Sequence, residues 1–176
     1  MSIEYFQRRQ NILREKIAKE NLDGMLVTNL THIRYLCGFT GSSATLLITD
    51  DEIHFITDGR YVVQSEKEVK GANVIIDSIP HFEVIRNKGL LKNEQKIGFD
   101  GNNVTHQGYQ QISKVLSSQH LVNITGVIEK LAMVKDDKEL EAIKTAVEIT
   151  DKAFSEVLPM VQIGVEEKII ANQLSF

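Results

Sequence analysis

The segment Tyr35–Thr49, with the sequence YLCGFTGSSATLLIT, constrains the fold of this chain more than any other segment. A helical pattern ends at Gly38, where glycine suits the left-handed backbone of a helix C-terminus. Small and hydroxylated residues follow, among them Gly41, which lets another group approach the backbone closely. The apolar run Leu46–Ile48 then predicts a buried strand. A polar loop therefore leads directly into the core of a sheet.

A second segment, Thr57–Tyr61 with the sequence TDGRY, has the same character at the end of another predicted strand. The apolar run Ile53–Ile56 stops just before Asp58. Gly59 provides a turn, and Arg60 lies just beyond it. Two strand ends that carry small, polar and guanidinium groups are typical of the edge of an α/β sheet at which a ligand docks.

The rest of the first 133 residues alternates short apolar runs with helical patterns. Predicted strands cover residues 25–28, 44–49, 53–57, 74–76, 96–99 and 120–124. Predicted helices cover residues 4–21, 30–36, 61–69, 81–91 and 105–116. The strands 44–49 and 53–57 are expected to form an antiparallel hairpin. The alternation predicts a three-layer α/β domain on a mixed sheet for residues 1–133.

The pattern changes in the last quarter of the chain. Residues 136–157 predict a long amphipathic helix, which Pro159 interrupts, and a second helix covers residues 169–174. That helix continues to Phe176 without a glycine or a basic last turn, so we expect the chain to be truncated there. Residues 134–176 are therefore interpreted as the first helices of a second domain.

The composition excludes several classes of protein. The chain has 20 basic and 24 acidic residues and a net charge of −4, so it offers no basic surface for nucleic acid or an anionic membrane. No apolar stretch approaches the ~20 residues that span a bilayer, and the N-terminus lacks an apolar signal region. A single cysteine, Cys37, excludes an internal disulfide framework. We therefore expect a cytoplasmic protein that binds neither nucleic acid nor membrane.

Both strand-end segments contain candidate binding residues, and each has a second interpretation. Arg60 has the planar donor geometry that holds a peptide carboxylate or carbonyl. Alternatively, Asp58 caps the following helix and Arg60 is part of a surface ion pair. The loop 39–43 is a candidate pocket wall, with Phe39 as its apolar part. Alternatively, this loop is a tight connection whose hydroxyls bond within their own turn.

Other kinds of chemistry receive little support from the sequence. The five histidines are His32, His54, His81, His106 and His120. They are scattered singly, without the spacing of a metal site, so structural roles are expected.

Acidic residues at predicted strand ends are Asp50, Asp58, Asp77 and Asp100. They leave open a two-metal nuclease, which the missing basic surface disfavours. Neither a G-x-S-x-G nucleophile motif nor a glycine-rich phosphate loop is present, so we expect no catalytic residue and no metal ligand.

The loop GFTGS followed by TDGRY resembles the N-terminal domain of aminopeptidase P, within the creatinase/prolidase group. The segment Asn29–Tyr35, NLTHIRY, is similar to the helix that precedes the loop in that group. The segment Leu131–Ile143, LAMVKDDKELEAI, is similar to the start of the group's metal-binding domain. Ala132 stands where the group has arginine, which is a departure from the pattern.

The resemblance implies that residues 1–133 are the accessory domain of a metallopeptidase, a hydrolase that removes an N-terminal residue preceding proline. Residues 134–176 would begin its pita-bread-type catalytic domain, which binds two divalent ions, usually manganese, through ligands beyond residue 176. The implied partners are a peptide with proline in the second position and further copies of the chain, as a homodimer or larger oligomer. The residues implied to shape the substrate site are Phe39, Thr40, Ser42, Arg60 and Tyr61.

Two alternatives remain open at this point. The parent protein is either an aminopeptidase or an Xaa-Pro dipeptidase, and the GFTGS and TDGRY pair favours the aminopeptidase. The chain is also compatible with a stand-alone module that binds peptides or dimerises without catalysing a reaction. A reading frame that continues past Phe176 with the expected Asp, Asp, His, Glu and Glu ligands would favour the peptidase.

Overall fold

The computed structural model describes residues 3–174. The chain divides into two compact units, with the boundary in the sequence between Met133 and Val134. Six strands form one sheet in the first unit. They are β1 (Gly24–Val27), β2 (Thr45–Thr49), β3 (Ile53–Thr57), β4 (Asn73–Ile76), β5 (Lys96–Asp100) and β6 (His120–Ile124). The eight helices of the described chain are α1 (Ile3–Lys19), α2 (Leu30–Cys37), α3 (Val62–Glu68), α4 (His81–Asn87), α5 (His106–Val115), α6 (Val127–Met133), α7 (Asp137–Val157) and α8 (Glu167–Leu174).

The strand order is β4-β3-β2-β1-β5-β6, and the sheet is mixed as predicted. Strand β2 pairs antiparallel with both β1 and β3, which confirms the hairpin, and every other pairing is parallel. The C-terminal ends of β1, β3, β4, β5 and β6 therefore share one edge of the sheet with the N-terminal end of β2. We call this edge the rim.

Helices cover both faces of the sheet, which confirms the predicted α/β class. Side chains of β2 alternate between two cores. Leu46 and Ile48 pack in the core that includes residues of α1, α2 and α6, whereas Leu47 packs in the core of α4 and α5. All three of these side chains are fully buried. A strand that is buried on both faces has a continuous apolar sequence instead of an alternating one, and this explains the run that first identified it.

Helix α1 is joined to the segment around α2 by buried polar contacts. The Gln10 side chain, only 3% exposed, donates hydrogen bonds to the backbone oxygens of Leu36 and Lys70, each at 2.9 Å. The Arg9 guanidinium donates to the Tyr35 carbonyl at 2.9 Å and stacks 4.2 Å from the centre of its ring. Buried carbonyl groups need such partners, so α1 fixes the position at which α2 ends and the polar loop begins.

The second unit is helical. Helix α7 begins at a capping box, in which the side chains of Asp136 and Glu139 each accept a hydrogen bond from the backbone N–H of the other. Helix α8 begins at Glu167, two residues before the predicted start. No described helix is both long and apolar enough to cross a membrane. The predicted helix end at Phe176 lies outside the described residues.

Candidate functional site

The polar loop after α2 is anchored by a buried aromatic residue. Gly38 has a φ of 89°, the left-handed conformation expected from the sequence, and its N–H bonds to Arg34. Phe39 follows and is only 1% exposed. Its ring lies edge-on to Phe55 at 4.7 Å and to Tyr61 at 5.3 Å between ring centroids. Phe39 therefore holds the loop against the sheet and joins it to the segment after β3.

Thr40 is held by a carboxylate from α3. The Thr40 N–H donates to Glu68 Oε2 at 2.7 Å, and its hydroxyl donates to Oε1 at 3.0 Å. Gln64 donates to both residues. Burial alone would raise the pKa of Glu68, but the hydrogen bonds from Thr40 and Gln64 outweigh it and lower that pKa. Glu68 is therefore an ionised acceptor that orders the loop.

Ser42 is held by the phenol of Tyr61. The two hydroxyl oxygens lie 2.7 Å apart, and the Ser42 N–H donates to the same phenol oxygen at 3.3 Å. These hydrogen bonds lower the pKa of Tyr61. Gly41 lies between the two aromatic rings, because a Cβ atom there would lie 2.7 Å from Tyr61 Cε1 and closer still to Phe39 Cζ. Only glycine fits this position without displacing a ring.

Arg60 is engaged by Asp58. Its Nε donates to Asp58 Oδ1 at 2.8 Å and its Nη2 to Oδ2 at 2.9 Å, while the Arg60 backbone N–H donates to Oδ1. Asp58 thus caps the 3₁₀ turn Gly59–Tyr61, and both features of the ion-pair interpretation are present. The bond to Arg60 lowers the pKa of Asp58 well below its usual range. The guanidinium also lies 5.2 Å from the centre of the Tyr61 ring.

The structure brings the five candidate residues into one continuous cluster at the rim. An open depression of about 260 Å³ is lined by the loop and by α2, with Phe39, Thr40 and Ser42 among its residues. Arg60 and Tyr61 adjoin it through the bond between Tyr61 and Ser42. The cluster offers hydroxyls, a carboxylate, a guanidinium and aromatic edges. These groups can hold a peptide by hydrogen bonds and apolar contact, and no activated nucleophile lies among the described residues of this cluster.

Some contacts at this site could not be predicted from the sequence. Glu68 has no local motif, since its partner Thr40 is 28 positions away. His81 is half-buried and shares a 3.0 Å hydrogen bond with Thr45 at the start of β2, and burial lowers the pKa of its imidazole.

Cys37 is fully buried, and this burial raises the pKa of its thiol to about 11. The thiol is therefore inert at neutral pH, as expected for a cysteine that packs as a small apolar residue.

Comparison with known proteins agrees with this geometry. A family model of the creatinase/prolidase N-terminal domain matches residues 9–134. The chain therefore belongs to this family, and the resemblance to the N-terminal domain of aminopeptidase P is confirmed.

Three relatives show how far the similarity extends. The peptidase YqhT of Bacillus subtilis is 34% identical over 174 residues, which is 93% of this chain and 46% of that protein. An Xaa-Pro dipeptidase from Bacillus anthracis superposes with a TM-score of 0.87 at 29% identity, over 96% of this chain and 47% of the other. An aminopeptidase P structure from Streptococcus thermophilus gives a TM-score of 0.64 at 32% identity, over 72% of this chain and 98% of the other. The chain thus spans about half the length of the first two relatives.

Gly41→Ala tests the packing of the loop. A methyl group between the two rings forces Phe39 or Tyr61 to move, and we expect a loss of about 1–3 kcal/mol in the free energy of unfolding. Urea denaturation of the 176-residue chain measures this loss. Gly59→Ala is the matched control, since a Cβ there has nothing within 4 Å. Equal stability of the two variants would contradict the described packing.

Proposed function

We propose that this chain is the non-catalytic N-terminal part of a metal-dependent Xaa-Pro aminopeptidase, which removes an N-terminal residue preceding proline. The observation that carries the proposal is the cluster of Phe39, Thr40, Ser42, Arg60 and Tyr61 at the rim of a creatinase/prolidase N-terminal domain. The relatives named as an aminopeptidase P and an Xaa-Pro dipeptidase support the substrate class. In this role the rim covers the substrate during the reaction.

The groups at the rim match the chemistry of a short peptide. Peptide carbonyls and a terminal carboxylate accept hydrogen bonds, and a guanidinium has five N–H donors, of which the Asp58 side chain engages two. The Arg60 side chain is 69% exposed and can present the remaining donors outward. The Tyr61 ring suits the apolar ring of proline, and the buried Phe39 ring packs edge-on against it.

The chemical step belongs to a part of the protein that residues 3–174 do not include. The metal-binding domain implied by the family would hold two divalent ions, usually manganese, which would supply an activated water for hydrolysis of the peptide bond. We assign no residue of this chain to those ions. Helices α7 and α8 would lead into that domain, and the cytoplasm is the proposed compartment.

Self-association is also part of the proposal. In the second unit, four large apolar side chains on α7 and α8 are 45–63% exposed: Leu140, Ile143, Phe154 and Ile169. Burying each large apolar side chain stabilises a protein by about 1.5–3 kcal/mol. A row of exposed apolar side chains therefore favours binding of these helices to another protein surface. A homodimer or higher homo-oligomer supplies such a surface.

The 176-residue chain alone should not hydrolyse Xaa-Pro peptides, because the two-metal chemistry of that reaction requires ligands for both ions, and we assign no residue of this chain to those two ions. The measurement is release of the first residue by the purified chain with added manganese. Activity that follows the protein through successive columns and disappears on addition of a chelator would contradict the non-catalytic role.

Arg60→Ala tests the substrate-covering role in the protein that joins this domain to a metal-binding domain. Loss of one charge-assisted hydrogen bond to the peptide should lower kcat/KM by roughly tenfold to a hundredfold. Metal content and melting temperature should stay unchanged. Arg86→Ala, which removes another exposed arginine on α4, is the control. An unchanged kcat/KM in Arg60→Ala would leave Arg60 with only its surface ion pair.

A further inference from the structure

Three residues from separate parts of the first unit converge beside the rim. They are His32 on α2, Asp100 at the end of β5 and Glu129 on α6. One imidazole nitrogen and one oxygen of each carboxylate all lie within 4.8 Å of one another. The topology produces this meeting, because β1 and β5 are parallel neighbours, so that α2, which follows β1, lies beside the end of β5.

The geometry of this group differs from that of an ordinary hydrogen-bonded cluster. His32 Nδ1 lies 4.0 Å from Asp100 Oδ2, and His32 Nε2 lies 3.7 Å from Glu129 Oε1. Both distances are too long for hydrogen bonds. The His32 and Asp100 side chains are only 12% and 9% exposed, and His32 Nδ1 and Glu129 Oε2 are buried without a hydrogen-bond partner in the described structure. Buried polar atoms of this kind normally have a partner, so these atoms point to a ligand.

The Asp100 carboxylate is held in place by its neighbours. Asn103 donates to Asp100 Oδ2 at 2.6 Å, and the Asn102 N–H donates to Oδ1 at 3.0 Å. The side chain of Asn29 donates to Asn103 and also caps α2 by accepting from the His32 N–H at 3.1 Å. Metal-ligating carboxylates are typically oriented by hydrogen bonds of this kind. The same asparagine network therefore positions both an imidazole and a carboxylate.

We propose that His32, Asp100 and Glu129 form a binding site for a divalent transition-metal ion, with zinc as the ion that fits best. One imidazole and two carboxylates are a ligand set that zinc accepts. Zinc bonds of about 2.0–2.2 Å place tetrahedral ligand atoms roughly 3.3–3.6 Å apart. Only one imidazole nitrogen of His32 can bind the ion. The ligand atoms lie within 4.8 Å of one another, so the side chains must approach by up to roughly 1 Å to reach this range. This proposal departs from the expectation from the sequence that the histidines are structural. Its ligands are too far apart in the chain to form a sequence motif.

The ion would have a structural consequence at the rim. It would connect β5 and α6 to α2, the helix that immediately precedes the loop. Three protein ligands leave a fourth tetrahedral position for water or for an oxygen of a ligand docked at the rim.

Zinc titration of the chelator-treated 176-residue chain tests the proposal. We expect calorimetry to give one zinc ion per chain and the melting temperature to rise with zinc. His32→Gln and Glu129→Gln should each weaken binding by at least about tenfold, as expected for the loss of one ligand. Circular dichroism of each variant without metal shows whether it is folded. Glu129→Gln should disturb the fold less than His32→Gln, because the Glu129 side chain is 43% exposed and that of His32 only 12%.

His120→Gln is the matched control, because His120 is an exposed histidine that pairs with Glu94 at 2.8 Å on another part of the surface. Its zinc affinity should equal that of the unmodified chain. Absence of saturable zinc binding would overturn the proposal. Binding that survives in folded His32→Gln and Glu129→Gln, or that is lost in His120→Gln, would overturn it as well.

Discussion

The burial of Phe39 is the interaction on which the candidate site depends. The loop between α2 and β2 is exposed at Thr40 and Ser42 on either side of a glycine, and such a sequence alone has no preferred conformation. Burying one phenylalanine side chain contributes about 1.5–3 kcal/mol, which is similar to the cost of ordering one neighbouring residue. The polar contacts to Glu68 and Tyr61 can then form with little further loss of entropy. An apolar anchor thus determines where the hydroxyls lie.

The sheet topology determines which segments meet at this edge. Because β2 runs opposite to β1 and β3, the loop that enters β2 lies beside the turn that leaves β3. The same arrangement brings Asp100, at the end of β5, beside α2. Peptide-binding groups and the proposed metal ligands therefore lie on one rim, although their positions in the chain are far apart. A zinc ion behind α2 would stabilise the helix from which the loop departs.

The sequence predicted the sheet well because its strands are short apolar runs with clear ends. The runs Leu46–Ile48 and Ile53–Ile56 identified the hairpin, and the glycine at Gly38 marked the end of α2. Helix α6 was missed because seven residues are too few for a helical period to be recognised. The role of Glu68 and the meeting of His32 with Glu129 could not be predicted, since each depends on packing between distant segments.

Amide hydrogen exchange of the loop tests most directly whether its conformation is fixed. Thr40 and Ser42 are exposed, but their N–H groups are bonded to Glu68 and to the Tyr61 phenol. We predict exchange at least about tenfold slower than in an unstructured peptide for both amides. Tyr61→Phe should accelerate exchange at Ser42 and leave Thr40 protected. Exchange of both amides at unstructured rates would show that the loop is not held in place and would contradict the account.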